Sequence, residues 1–237
     1  MEQGMADRSK RGTLAVEWIL RRGERGTALL CALVVTALLT TLGASVVVVV
    51  VGETLVAAHH RASQQGLYAA DAGFERAVGE LRSLSTWQGV PAPAGSSGSP
   101  DFNDGALVAT LADRTPLDLA QLTANRQRES DAFYPNTPDR PQWRLFGHAS
   151  LARMIADDAG SAPPYVVVWV ADDPDDRDGD PTRDSNDIVI VRSHAFGVGG
   201  AKRSVEATIV RRSALDGAAG GGATRSDVSV IAWREVR

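Results

Sequence analysis

The chain has 237 residues, of which 43% are hydrophobic and 5% aromatic, a formal net charge of −4 and a single cysteine. No basic patch is interleaved with rings, which argues against a nucleic-acid surface, since that needs cations along the backbone track and aromatic faces for the bases. Cys31 lies inside an apolar stretch, so no disulfide framework supports the remainder. That fold must rest on packing, with or without a bound metal.

Residues 1–26 are polar and read as an irregular leader, with Arg21, Arg22 and Arg25 gathered just ahead of the apolar stretch. Thr27 to Val51 then runs without charge or proline. Its length of about 25 residues exceeds the roughly 20 that a helix needs to cross the hydrocarbon core. The valines from Val46 to Val51 suit a soluble helix poorly, because β-branched chains lose rotamer freedom there. In lipid a helix satisfies its own backbone, and the objection weakens. The length and purity of the run disfavour a buried core helix of a soluble protein. Arginines on the short flank predict a cytoplasmic N-terminus and an extracytoplasmic C-terminal part, a single-pass topology in the inner (cytoplasmic) membrane. A cleaved secretory signal would have an apolar core of only about 7 to 15 residues, whereas a plain signal anchor stays open.

From residue 52 to 88 the chain reads as an amphipathic helical stem. Leu55, Ala58, Ala62, Leu67, Ala70, Phe74, Val78 and Leu81 recur at helical intervals, and no proline occurs before Pro91. Together with 27–51 this predicts a helix of about 58 residues, roughly 87 Å long. His59 and His60 point about 100° apart on such a helix and lack a partner four residues away, so they read as solvated side chains rather than metal ligands. Residues 89–101, GVPAPAGSSGSPD, cannot propagate a helix and read as a linker.

Residues 102–237 form the expected extracytoplasmic α+β domain. Ala106–Leu111 and Trp143–Leu151 are short mixed segments. Arg114–Arg140 reads as a surface excursion with at most a short helix near Leu117–Arg126. Tyr165–Val170 is a strand, Ile188–Phe196 and Arg203–Arg211 form an antiparallel hairpin around Gly197–Gly200, and Val228–Val236 is a last strand after the flexible stretch 217–222. Strands in antiparallel order after one long helix predict an α+β fold, with Phe74, Val78 and Leu81 laid on the sheet.

The junction Arg22-Gly23-Glu24-Arg25-Gly26-Thr27-Ala28 resembles the processing site of type IV prepilins, where a glycine after basic residues abuts the membrane helix. The resemblance implies cleavage after Gly26 by a prepilin peptidase and a new, methylated N-terminus at Thr27. Downstream, Leu67-Tyr68-Ala69-Ala70-Asp71-Ala72-Gly73-Phe74-Glu75-Arg76-Ala77 is similar to the signature of PilX-type pilus assembly proteins. This match is longer and more specific than the junction. It implies a pilin-like fold, with a long membrane-spanning α-helix packed on a C-terminal antiparallel β-sheet domain. There is one departure from the major-pilin pattern. Cys31 stands fifth after the expected cut, where most pilins carry a glutamate that pairs with a neighbour's terminal amine. A subunit lacking that buried carboxylate needs no amine ahead of it, as in K-type minor pseudopilins. An initiating or low-copy subunit is therefore expected rather than the bulk filament protein.

The loop from Asp172 to Asp187 holds eight aspartates, which repel one another unless solvent or a cation screens them. Oxygen donors at alternating spacing with a glycine for a sharp turn suit Ca²⁺, although the order around Gly179 is not that of an EF-hand. Asp176, Asp178, Asp180 and Asp184 are the candidate ligands, and a merely solvated acidic loop is the other reading. The order D-G-D-P followed by D-x-N also resembles the corresponding loop of PilX-type proteins, and the likeness to K-type pseudopilins implies calcium in the outer domain. No catalytic constellation stands out. His148 and His194 are isolated on expected strands, and Ser193-His194 supplies triad letters without triad geometry.

Taken together, these features predict a minor pilin-like subunit that assembles or initiates a type IV pilus or pseudopilus. Its expected partners are other pilin or pseudopilin subunits, the prepilin peptidase and the inner membrane, with no nucleic acid bound directly. Two readings compete with it: a signal-anchored binding module that does not polymerise, and a calcium-dependent adhesin.

Overall fold

The computed structural model of the chain describes residues 3–90, 102–155, 163–214 and 225–236. In chain order the elements are α1 (Gln3–Ser83), β1 (Val108–Thr110), β2 (Pro116–Asp118), α2 (Leu119–Phe133), β3 (Arg144–Ser150), α3 (Leu151–Ile155), β4 (Tyr165–Asp172), β5 (Ile188–Phe196), β6 (Lys202–Ala214) and β7 (Arg225–Val236). The chain divides into two compact units, one ending at Ala58 and the other spanning His59–Arg237.

In the first unit the leader is helical from Gln3 rather than irregular. It lacks proline, and its five arginines and three glutamates are good helix formers. From Gly26 to Ala58 every residue is exposed.

The second unit is built on a five-stranded sheet of order β3-β4-β5-β6-β7, antiparallel throughout. Period-2 alternation along the central strand β4 divides its side chains between two cores. Val166, Val168 and Val170 join Ala69, Ala70, Phe74, Ala77, Val78 and Leu81 of α1. Tyr165, Val167, Trp169 and Ala171 join Leu117, Leu119 and Trp143 on the opposite face. Because both faces are covered, β4 is buried at every position, and its sequence reads as a continuous apolar run. Each well-buried apolar side chain contributes about 1.5–3 kcal/mol.

The inward face of α1 begins at Gly66, whereas Leu55 and Ala58 are exposed. At Gly73 the helix comes so close to the sheet that an added Cβ would lie 2.4 Å from Val166 Cγ1 and 2.7 Å from Ser193 Oγ. The helix ends in a tight return in which Leu84 N–H donates to the Leu81 carbonyl at 3.3 Å. The fully buried Trp87 donates its indole N–H to the same carbonyl at 2.9 Å.

The expected hairpin forms from β5 and β6, with Gly199 and Gly200 at φ of 69° and 76° in the turn. Helix α2 is longer than expected. Asp118 caps it by accepting from Gln121 N–H at 2.9 Å, and its buried positions are Leu119, Arg126 and Ser130. Two of those three are polar, so hydropathy alone hides the inward stripe. Arg126 lies 5.9 Å from the Trp169 ring, and Trp169 donates to Thr123 Oγ1 at 2.8 Å. The two-stranded β1–β2 ribbon and the short α3 were not expected from the sequence. Most of the expected linker (91–101) and all of the stretch 217–222 lie outside the described residues.

Candidate functional site: an apolar helix and a buried aspartate cluster

One stretch of the described residues, Gly26–Ser83, is long and apolar enough to cross a membrane. Within its first part the side chains face outward, from Leu29 at 70% exposure to Val48 at 72%. A soluble protein rarely tolerates so large a contiguous apolar surface, which marks it for lipid or for other helices. The hydroxyls interspersed along it are satisfied locally. Thr36, Thr40, Thr41, Ser45 and Thr54 each donate to a carbonyl three or four residues back, at 2.7–3.0 Å. No unpaired hydroxyl is thereby carried into the apolar phase at these positions. Gly26 sits on this helix with nothing near its missing Cβ, and Cys31 is exposed.

The acidic loop between β4 and β5 has a defined internal structure. Asp176 accepts from Ser185 N–H and Ser185 Oγ, both at 2.7 Å. Asp173 accepts from Asp175 N–H at 3.0 Å and from Asn186 Nδ2 at 2.9 Å. Asp184 accepts from Ile188 N–H at 3.1 Å. Gly179 supplies the sharp turn at φ 80°.

Asp172, Asp176 and Asp184 converge, and each offers a carboxylate oxygen within 4.8 Å of the other two. All three are buried, Asp172 and Asp184 to 1% exposure. Neither oxygen of Asp172 has a hydrogen-bond partner. Burial, and then the charges of Asp176, Asp184 and Asp173, push the Asp172 carboxyl up to about 8. Burial likewise pushes Asp184 up to about 6, against the pull of Ile188 N–H, and raises Asp173. A set of carboxylates with no histidine or cysteine is a donor set for hard cations such as Ca²⁺.

Of the four ligands expected from the sequence, the structure brings together Asp176 and Asp184 and adds Asp172. Asp178 and Asp180 lie on the exposed turn instead. There Asp178 accepts from Asp180 N–H at 2.8 Å, and Asp180 accepts from Thr182 N–H at 3.1 Å and Thr182 Oγ1 at 2.6 Å. A sequence signal for Asp172 does exist. It closes the even-numbered row Val166, Val168, Val170, so strand period alone carries its carboxylate onto the apolar face.

The two candidate triad letters part company on β5. Ser193 Oγ lies on the α1 side, near Gly73. His194 stacks on Phe196 on the other side, with ring centroids 4.4 Å apart. His148 is paired through Nδ1 with the Tyr165 hydroxyl at 2.8 Å.

No curated protein and no solved structure matches the chain. Residues 25–75 match the family model described as PilX N-terminal. This stretch takes in the Gly26–Thr27 junction, the whole apolar run and the Ala-Ala-Asp-Ala-Gly-Phe segment that meets the sheet, so the chain carries the N-terminal domain of PilX-type proteins of type IV pilus biology.

Proposed function

We propose that the chain is a minor pilin-like subunit of a type IV pilus or pseudopilus, anchored by residues 27–51 in the cytoplasmic membrane until it enters a filament. The observation that carries this reading is the PilX N-terminal match beginning at residue 25, one residue ahead of the glycine that abuts the apolar run. Arg21, Arg22 and Arg25 hold the leader on the cytoplasmic side. A prepilin peptidase cuts after Gly26, and Thr27 becomes the first residue, open to methylation.

The mechanism is association. The outward-facing leucines and valines of 27–51 need an apolar surrounding, which lipid supplies in the bilayer and neighbouring helices supply in a filament. Gly43 has nothing within 4 Å of its Cβ position, so a neighbour's backbone can approach closely there. Cys31 stands where a bulk subunit carries its glutamate, which fits a subunit at the filament tip with no terminal amine ahead of it. No step of this role is catalytic.

The test is the N-terminus and intact mass of the full chain co-expressed with a prepilin peptidase. The expected product starts at Thr27, and Gly26→Leu abolishes trimming by placing a branched side chain at the cleavage position. A product that keeps its leader leaves a signal-anchored protein that does not polymerise, and normal trimming of Gly26→Leu rules out Gly26 as the cleavage position.

A further inference from the structure

The geometry points to a calcium site formed by Asp172, Asp176 and Asp184, which ties the acidic loop to the end of α1. Oxygens sharing one calcium at about 2.4 Å can be no more than about 4.8 Å apart, and these three carboxylates meet that limit. The second observation is independent of the cluster's acidity. Asp172 is 1% exposed, belongs to a regular strand, and has no hydrogen-bond partner for either oxygen. Buried carboxylate oxygens are ordinarily satisfied by protein donors. Loop hydrogen bonds hold Asp176 and Asp184 in place, whereas Asp173 N–H turns toward Asp172 without completing a hydrogen bond. A cation supplies that partner and offsets the mutual repulsion of the three charges. Calcium fits better than magnesium, because one carboxylate at a strand end and two on the bent loop after it suit a flexible coordination sphere of six to eight oxygens, with water completing it.

The loop's exit runs directly into contacts with the end of α1. Asp187, at φ 62°, pairs with Arg211 at 2.5 Å. Arg211 also donates to the Ser85 carbonyl at 2.6 Å and lies 5.7 Å from the Trp87 ring. Ordering Asp184 through the ion therefore orders the segment that holds Arg211 against residues 85–87. The site does not depend on the pilus reading.

The test is thermal unfolding of the full chain in detergent micelles, with calcium, magnesium or EDTA, together with calorimetric titration of calcium chloride. At calcium about a hundredfold above Kd, Tm is expected to rise about 5–10 °C over EDTA, with slower amide exchange over residues 84–90. Asp172→Asn abolishes the calcium shift. The double variant Asp178→Asn/Asp180→Asn keeps it. Equal Tm in calcium and EDTA overturns the proposal, as does a shift that survives Asp172→Asn but vanishes in the double variant. An equal shift with magnesium overturns the choice of ion. Should Asp172→Asn fail to fold, calorimetry on the parent decides, since one calcium per chain is expected and no binding overturns the site.

Discussion

His194 sits among three cations. Arg126 approaches it from α2, Arg192 shares its strand and Lys202 comes from β6, while its ring lies flat on Phe196 and edge-on to Trp169 at 6.5 Å. Burial first, and then those three charges, push the imidazole down to about 3. The native state therefore holds His194 neutral where the unfolded chain, with an ordinary value near 6.5, takes up a proton. The stability this contributes is full above about pH 6.5 and is lost as pH falls toward 3. Asp172 works in the opposite sense. Its raised value favours the native state at low pH and weakens it as pH rises toward 8, so the raw pH profile of the parent mixes the two. The difference between the parent and His194→Phe isolates the imidazole, because a phenyl ring preserves the stack on Phe196. Chemical denaturation should show the parent losing about 2 kcal/mol relative to that variant between pH 7 and pH 5; a pH-independent difference would rule this account out. At the same scale, the sequence identified the acidic loop and two of the three clustered carboxylates. Strand period sets Asp172 on the row of Val166, Val168 and Val170, but composition alone does not rank it above Asp178 or Asp180, since all are aspartates in one run. What separates them is burial, set by the register of β4 with β5, where Asp172 faces Val189.

The stem helix and the sheet meet through small residues. Ala69, Ala70 and Ala77 are fully buried, and Gly73 faces Val166 and Ser193 with no room for a Cβ. This gives a physical reason for the Ala-Ala-Asp-Ala-Gly-Phe segment, since small side chains bring the helix axis close to the strands and Phe74 fills the space beside them. Two effects compete in Gly73→Ala. Helix propensity favours alanine by about 1 kcal/mol, whereas overpacking a close contact costs typically 1–3 kcal/mol. At 2.4 Å from a β-branched side chain on the central strand, the clash should win, with a net loss of about 1–2 kcal/mol in chemical denaturation. Val166→Ala removes the Cγ1 that is struck, so the Gly73→Ala/Val166→Ala pair should lose less than the sum of its singles. Additive losses would mean that the contact is not the cause. Elements with clean periodicity were legible in the sequence. Strand β5 has the expected bounds, and β4, β6 and β7 extend theirs by a few residues. Helix α2 was half-missed because Arg126 and Ser130 occupy its buried stripe, and hydropathy counts them as surface residues.

The two units differ in what their folding requires. From Gly26 to Ala58 no side chain is buried, so this part of α1 has no core of its own to stabilise it. From His59 onward the molecule has its own two-sided core, in which α1 closes one face of the sheet and α2 with the β1–β2 ribbon closes part of the other. Among the described residues, every buried one of α1 lies at or beyond Gly66, and a pair of hydrogen bonds from Arg203 to Ser63 ties the helix to the sheet just ahead of it. A fragment comprising residues 59–237 should therefore keep the whole core while losing the surface that demands lipid or neighbouring helices. It is expected to be soluble without detergent and monomeric by sedimentation, and to melt within a few degrees of the second unit in the full chain. The full chain itself should need detergent. Aggregation of the fragment, or a Tm lower by ten degrees or more, would mean that the apolar part of α1 supports the sheet domain. Membrane insertion and domain folding would then be coupled. If the fragment behaves as expected, the sheet domain folds without the apolar helix, as the proposed passage of that helix from lipid to neighbouring helices requires.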